Sequence, residues 1–286
     1  MRKYVVSASR RTDMLASAPE RLVQALEGGL PFSRHLSPER VHTLLISTKD
    51  FRNFLDRPEI RSVCDRCDQV CFNLTITGLG GSPLEPGVPA MGLLLPRLPE
   101  LAEAVGDPRR ITWCFDPILE WHGLGNKSVD LFQSIAATFA AIGARRVMAM
   151  FYFPYRNSRV SPDAIPAEEK ARFAGEIDQV CASLGLDLSF CHVPGMHRLR
   201  CVDLGWLAEL HPHQDTSVIH HYQAVKRPTA NYCRDAIWDL GWYKPPCRHG
   251  CLYCYGRSGA VYSEPAENSA PAPNLPRSAC DIRLGG

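Results

Sequence analysis

The stretch ITWCFDPILEWHGLGNKSVDLFQSIAATFAAIGARRVMAMFYF (residues 111–153) indicates a strand, an amphipathic helix and a second strand. Its two apolar runs, 111–115 and 146–153, are continuous, which is typical of strands buried on both faces. Between them, apolar side chains recur with the 3.6-residue period of a helix that begins at Ser128. This unit predicts two parallel strands joined by a helical crossover.

The same alternation extends outward along the chain. Further strands are predicted over residues 3–9, 42–47, 70–77 and 186–191. Ser17 and Glu20 have the spacing of a capping box that opens a helix, and Gly28 follows as a stop signal. No glycine-rich dinucleotide fingerprint follows the first strand, which weakens a doubly wound alternative. The predicted fold is α/β, a full or partial (β/α) TIM-like barrel with a C-terminal cysteine-rich cluster loop.

Composition divides the chain into three predicted regions. Residues 1–228 form the barrel domain, and residues 229–262 are a cysteine-rich iron–sulfur segment that packs on the barrel. Residues 263–286 are rich in Pro, Ala and Ser, which predicts a flexible tail.

The bulk composition limits the functional classes. The 286 residues are 45% hydrophobic and 22% charged, and no apolar run reaches the roughly 18 residues that span a bilayer. The N-terminus lacks the apolar core of a secretory signal, so we expect a cytoplasmic protein without a membrane partner. A net charge of +2 makes nucleic acid an unlikely partner.

Three of the twelve cysteines, Cys247, Cys251 and Cys254, are spaced C-x3-C-x2-C. Three thiolates this close can each bind a different iron of a [4Fe–4S] cluster and leave the fourth iron open. Gly250 allows the sharp turn that such a loop requires. The sequence therefore predicts a cluster site, with zinc or three buried thiols as the alternatives.

Other residues extend this predicted site. Arg248 can offset the negative charge of a cluster, and Tyr253 and Tyr255 can shield it from water. Cys233 is a candidate fourth ligand, and a zinc site would use either Cys233 or His249 beside the three cysteines. A second run with similar spacing, Cys64, Cys67 and Cys71, overlaps a strand start, which favours a structural role.

The run CRHGCLYCY (residues 247–255) resembles the cluster motif of radical S-adenosylmethionine enzymes, including the aromatic residue before the last cysteine. Its position near the C-terminus, together with SASRRTD near the start, STKD, FNLTITG and WCFDPI, is similar to the bacterial family called domain of unknown function 1848. The resemblance implies a barrel-like fold and a cluster similar to that of radical enzymes. It supplies no substrate.

Candidate catalytic residues come from the rule that chemistry gathers at the C-terminal ends of barrel strands. Arg10, Arg11 and Asp13 follow the first strand and could bind a substrate or cofactor through charge-assisted hydrogen bonds, or form a structural ion pair. Asp116 could orient a polar substrate, and Tyr155 could stack on adenine or pass a hydrogen atom. His211, His213, His220 and His221 form a weaker alternative metal group.

The sequence favours a radical enzyme that uses a [4Fe–4S] cluster and S-adenosylmethionine, acts on an unknown small or biopolymer substrate, and receives electrons from a reductant such as flavodoxin or ferredoxin. Two other hypotheses stay open. One is a non-radical iron–sulfur carrier or sensor with Cys233 as its fourth ligand, and the other is a zinc-stabilised binding module.

Overall fold

The computed structural model describes residues 3–8, 12–153, 158–191, 202–219, 238–240 and 246–254. Several predicted positions lie outside the described residues: Arg10, Arg11, Tyr155, His220, His221, Cys233, Tyr255 and the tail 263–286.

A seven-stranded parallel sheet forms the centre of the molecule. The described residues contain these seven strands and two further short ones. In chain order they are β1 (Tyr4–Ala8), β2 (Val41–Thr48), β3 (Val70–Thr75), β4 (Ile111–Ile118), β5 (Glu120–Trp121), β6 (Leu124–Gly125), β7 (Arg146–Phe151), β8 (Asp187–Cys191) and β9 (Trp238–Asp239). The sheet order is β8-β7-β4-β3-β2-β1-β9, while β5 and β6 pair as an antiparallel hairpin. The predicted α/β class with a parallel sheet is confirmed. Within the described part of the chain β8 and β9 are the two edges, so a full barrel is not confirmed.

Helices connect the strands. They are α1 (Met14–Ser17), α2 (Pro19–Leu26), α3 (Arg52–Asp56), α4 (Pro58–Cys64), α5 (Met91–Leu94), α6 (Leu98–Val105), α7 (Val129–Ala141), α8 (Ala167–Leu184) and α9 (Leu204–Glu209). Ser128 caps α7 as predicted, because its hydroxyl accepts the N–H of Leu131. The predicted capping box is wrong: α2 starts at Pro19 with Ala18 as its N-cap, and the Ser17 hydroxyl instead accepts the N–H of Arg248.

The two faces of the sheet differ in polarity. On β3, Val70, Phe72 and Leu74 belong to the main hydrophobic core. The alternate positions of each strand point to the opposite face, here called the inner face. Isoleucine and valine do not predominate there. In register across that inner face run Ser47, Asn73, Thr112 and Arg146, and next to them Thr75, Cys114, Met148 and Ser189. The strands are therefore apolar on one face and largely polar on the other.

Helix α9 covers the inner face at the N-terminal end of the strands. Leu204 and Leu207 pack there with Val5, Leu45 and Cys71. Since Cys64 and Cys67 belong to the main core, the second cysteine run is divided between separate hydrophobic clusters, as expected for structural thiols. None of the described helices is both long and apolar enough to cross a membrane.

Candidate functional site

The segment 246–254, here called the cysteine loop, packs on residues 77–88, which follow β3. The N–H of Leu252 donates to the Leu84 carbonyl at 3.0 Å, and the N–H of Gly87 donates to the His249 carbonyl at 2.9 Å. Cys251 and Tyr253 are buried against an apolar group that includes Leu84. The loop therefore lies at the C-terminal end of the parallel strands, where the barrel rule places chemistry.

His249 anchors the cysteine loop to the ends of two strands. Its Nε2 lies 2.7 Å from Asp13 Oδ2 and its Nδ1 lies 3.1 Å from the Gly87 carbonyl oxygen. Both ring nitrogens of His249 therefore have protein partners. A zinc ion would have to displace one of these two contacts, which counts against His249 as a zinc ligand.

Asp13, a predicted catalytic residue, performs a structural task. Its Oδ1 accepts the N–H of Ala16 and caps α1. Its Oδ2 accepts the Thr48 hydroxyl at 2.7 Å and the Lys49 N–H at 2.8 Å, in addition to the His249 ring. Asp13 thereby joins the end of β1, the end of β2 and the cysteine loop.

Arg248 fixes the other side of the loop. Its Nη2 lies 2.6 Å from Asp50 Oδ2, and its backbone N–H donates to Ser17 Oγ at 3.0 Å. Arg52 binds the same Asp50 carboxylate, which is almost fully buried. The structure thus places the predicted cofactor contact Arg248 in an ion pair that holds the loop.

Glu85 is the buried centre of a hydrogen-bond network that sequence reasoning missed. Its Oε1 accepts from Lys49 Nζ at 2.8 Å, from Thr77 Oγ1 at 2.9 Å and from the Tyr253 hydroxyl. Only 1% of its side chain is exposed. An acidic residue between Pro83 and Pro86, in the segment that follows the predicted strand 70–77, was the available signal.

Lys49 brings positive charge next to the thiols. Burial raises the pKa of Cys251 well above its usual range, the Lys49 ammonium acts in the opposite direction, and Glu85, Cys254 and Cys247 raise that pKa further. Cys251 therefore lies within electrostatic range of both other cysteines of the motif. Binding of a metal cation would lower the pKa of these thiols and so convert them to thiolates.

The sulfur spacing bears on the kind of metal. Four ligands of one tetrahedral zinc, with bonds near 2.3 Å, place sulfurs about 3.8 Å apart. The three cysteines do not form a group whose ligand atoms all lie within 4.8 Å, and among the described residues the group that does is His42, His211 and Asp215. The thiols are therefore spread more widely than one zinc ion requires.

Asp116 lies in a bulge near the end of β4. Phe115 pairs with Ala149 and Ile118 with Phe151, so β4 contains one extra residue there, and such bulges redirect side chains. Burial raises the pKa of Asp116 to about 6, with Lys49 lowering it and Glu85 raising it. Asp116 therefore belongs to the same electrostatic group as Lys49 and Glu85.

Asn126 fixes this bulge and was not anticipated. Its Oδ1 accepts the Leu119 N–H at 2.9 Å, and its Nδ2 donates to the carbonyls of Pro117 at 2.9 Å and Thr77 at 3.1 Å. One fully buried amide therefore ties the segment after β3 to the end of β4. This positions Thr77, a donor to Glu85, relative to Asp116.

The alternative histidine group lies away from the cysteine loop. His211 stacks on His42 with ring centroids 4.1 Å apart. His211 Nε2 lies 3.1 Å from Asp68 Oδ2, and its Nδ1 accepts backbone N–H groups of His213 and Asp215. Because both His211 nitrogens have protein partners, this stack has the contacts of a structural element.

Known proteins similar to this chain identify its family. A family model described as "Domain of unknown function (DUF1848)" matches residues 5–256. No curated protein matches the chain. Among solved structures, the carboxyl transferase domain from Rhizobium etli pyruvate carboxylase is similar at 9% identity with a TM-score of 0.26. That alignment covers 79% of this chain and 39% of the other, so the chain spans well under half of that structure.

Proposed function

This chain belongs to the family described as a domain of unknown function (DUF1848), and on that premise we propose that it is an iron–sulfur protein of the radical S-adenosylmethionine type. Cys247, Cys251 and Cys254 would hold a [4Fe–4S] cluster and leave one iron without a protein ligand. Held there and reduced, such a cluster would supply the one electron that breaks the S–C5′ bond of S-adenosylmethionine, which gives methionine and a 5′-deoxyadenosyl radical.

The observation that carries the proposal is how the cysteine loop is anchored. The polar contacts that fix it use Arg248, His249 and Leu252, which lie between the cysteines. A loop attached through its intervening residues is preorganised to present its thiols to a cofactor. It does so at the end of the sheet where the polar inner face meets Asp116 and Lys49.

The local charges also fit a cluster. Three thiolates with an iron–sulfur cube form an anionic group, which is stabilised by nearby cations and hydrogen-bond donors. Lys49 lies in electrostatic range of Cys251, and both His249 ring nitrogens are held by protein partners. Tyr253 is buried beside them and excludes water. The Lys49 charge and the spread of the sulfurs support a cluster over a single zinc ion.

We infer that the sheet is part of an incomplete (β/α) barrel. The strands β1, β2, β3, β4, β7 and β8 follow one another in the sheet in chain order, and β9 returns to pair with β1. This cyclic order, with α9 at one end and the cysteine loop at the other, supports an enclosed inner face. Arg10, Arg11 and Tyr155 stay predicted contacts of this interior.

Anaerobic purification and reconstitution test the cluster. We expect about four irons and four sulfides per chain, and a reduced EPR signal that changes when S-adenosylmethionine is added, with formation of 5′-deoxyadenosine. Cys247→Ala, Cys251→Ala and Cys254→Ala should each lose most iron and sulfide. Cys181→Ala, at a buried cysteine on α8, is the matched control and should keep both.

Two outcomes contradict the proposal. Stoichiometric zinc without sulfide favours the binding-module hypothesis. A cluster that is lost in Cys233→Ala, with an EPR signal unaffected by S-adenosylmethionine, favours an electron carrier or sensor with four cysteine ligands. Reduction by flavodoxin or ferredoxin in place of dithionite tests the predicted reductant.

A further inference from the structure

Asp116 differs from the other acidic side chains beside the cysteine loop, because Asp13, Asp50 and Glu85 each accept hydrogen bonds. Lys49, a cation in electrostatic range of Asp116, is already paired with Glu85 at 2.8 Å. Asp116 lies in electrostatic range of both, but in the described residues its carboxylate receives no hydrogen bond and forms no ion pair. Among the acidic side chains that the structure describes beside the loop, Asp116 is therefore the one without a direct hydrogen-bond or ion-pair partner.

The backbone around Asp116 is held in place by specific contacts. The β4 bulge aims the side chain, and the buried Asn126 amide holds the residues on its C-terminal side. Asp116 is enclosed by protein but keeps part of its accessible surface, as expected for a group that lines a concave site. An enclosed carboxylate without a partner is costly, and a protein that keeps one usually has a ligand for it.

The number of oxygen atoms that Asp116 offers indicates which kind of cation it can bind. A hard divalent cation needs several oxygen ligands, and Asp116 supplies a single carboxylate here. A protonated amine needs one carboxylate and forms a charge-assisted hydrogen bond with it. Resting on the proposed function, we propose that the substrate carries a protonated amine and that Asp116 binds this ammonium group on the inner face of the sheet.

Three small aliphatic probes with a cationic, a neutral and an anionic head group test this proposal: butylammonium, butanol and butyrate. Binding to the full-length protein is measured at pH 8, where Asp116 is ionised, with and without reconstitution of the cluster. We expect butylammonium to bind at least about tenfold more tightly than the other two. Asp116→Asn should abolish this preference, and Asp178→Asn, at an exposed acid on α8, should keep it.

Equal binding of butylammonium to wild type and Asp116→Asn, or a preference for butyrate, would overturn the assignment. Since S-adenosylmethionine also carries an ammonium group, its effect on the EPR signal is measured in Asp116→Asn. An unchanged effect supports a substrate contact, whereas its loss overturns the substrate assignment and moves Asp116 to the cofactor. Because the amine preference is scored on protein without a cluster as well, failure of cluster assembly is distinguishable from failure of this inference.

Discussion

Burial raises the pKa of the Asp116 carboxyl to about 6, above its ordinary value of 3.8. The folded protein therefore binds this proton more tightly than the unfolded chain does. Its contribution to stability is fully present below pH 3.8 and is lost as the pH rises through about 6. At neutral pH the charged side chain destabilises the ligand-free fold by at most about 3 kcal/mol.

Asp116→Asn should therefore stabilise the ligand-free protein at pH 8, by about 1–3 kcal/mol. The amide keeps the shape of the side chain, and in the described residues no hydrogen bond to the carboxylate is lost. At pH 4 the two proteins should have nearly equal unfolding free energies. Urea denaturation from pH 4 to pH 8 measures the difference, and parallel curves at all pH values would contradict the burial argument.

The packing of the cysteine loop depends on Gly87, a glycine outside the loop. A Cβ atom at Gly87 would lie 2.4 Å from the Arg248 carbonyl oxygen and 2.8 Å from the His249 carbonyl oxygen. Because both are backbone atoms, the loop must move if Gly87 acquires a side chain. The close approach of residues 77–88 is therefore part of the site, although it contributes no ligand.

Gly87→Ala should lower the iron and sulfide content severalfold while the main core stays folded, since the clash is confined to this contact. Gly92→Ala is the matched control, because a Cβ there meets nothing within 4 Å. The measurements are iron and sulfide per chain and the far-UV circular dichroism spectrum. Full cluster content in Gly87→Ala would show that the packing of the loop on residues 77–88 is dispensable.

At the scale of elements, local patterns identified the main strands and α7 but missed β9, the β5–β6 hairpin and the contacts between elements. The period-3.6 pattern after Ser128 identified α7, and the apolar runs identified six of the parallel strands. The polar inner face was not predicted from those runs. Within a few residues of sequence, a strand with one polar face is hard to distinguish from a strand that is buried on both faces. Glu85 and Asn126 were missed because their partners come from distant segments, which no local pattern records.

In the whole molecule, the α9 packing and the proposed site lie at opposite ends of the parallel strands. Helix α9 and the stacked pair His42 and His211 lie toward the N-terminal ends of the strands, whereas the cysteine loop and Asp116 lie at the C-terminal ends. Parallel barrels divide stability and chemistry between their two ends in this way. Changes at one end should therefore affect stability without affecting the cluster.

His42 tests this separation. Burial lowers its pKa below the ordinary 6.5, so as the pH falls through 6.5 the unfolded chain takes up the proton first and stability is lost. His42→Gln, which keeps a side chain able to bond the Asp215 carbonyl, should reduce the slope of unfolding free energy between pH 7 and pH 5. Iron and sulfide content at pH 7 should match wild type, and His213→Gln, at an exposed neighbour, should change neither quantity. An unchanged slope would contradict the burial of His42, and loss of the cluster would show that the two ends of the sheet are coupled.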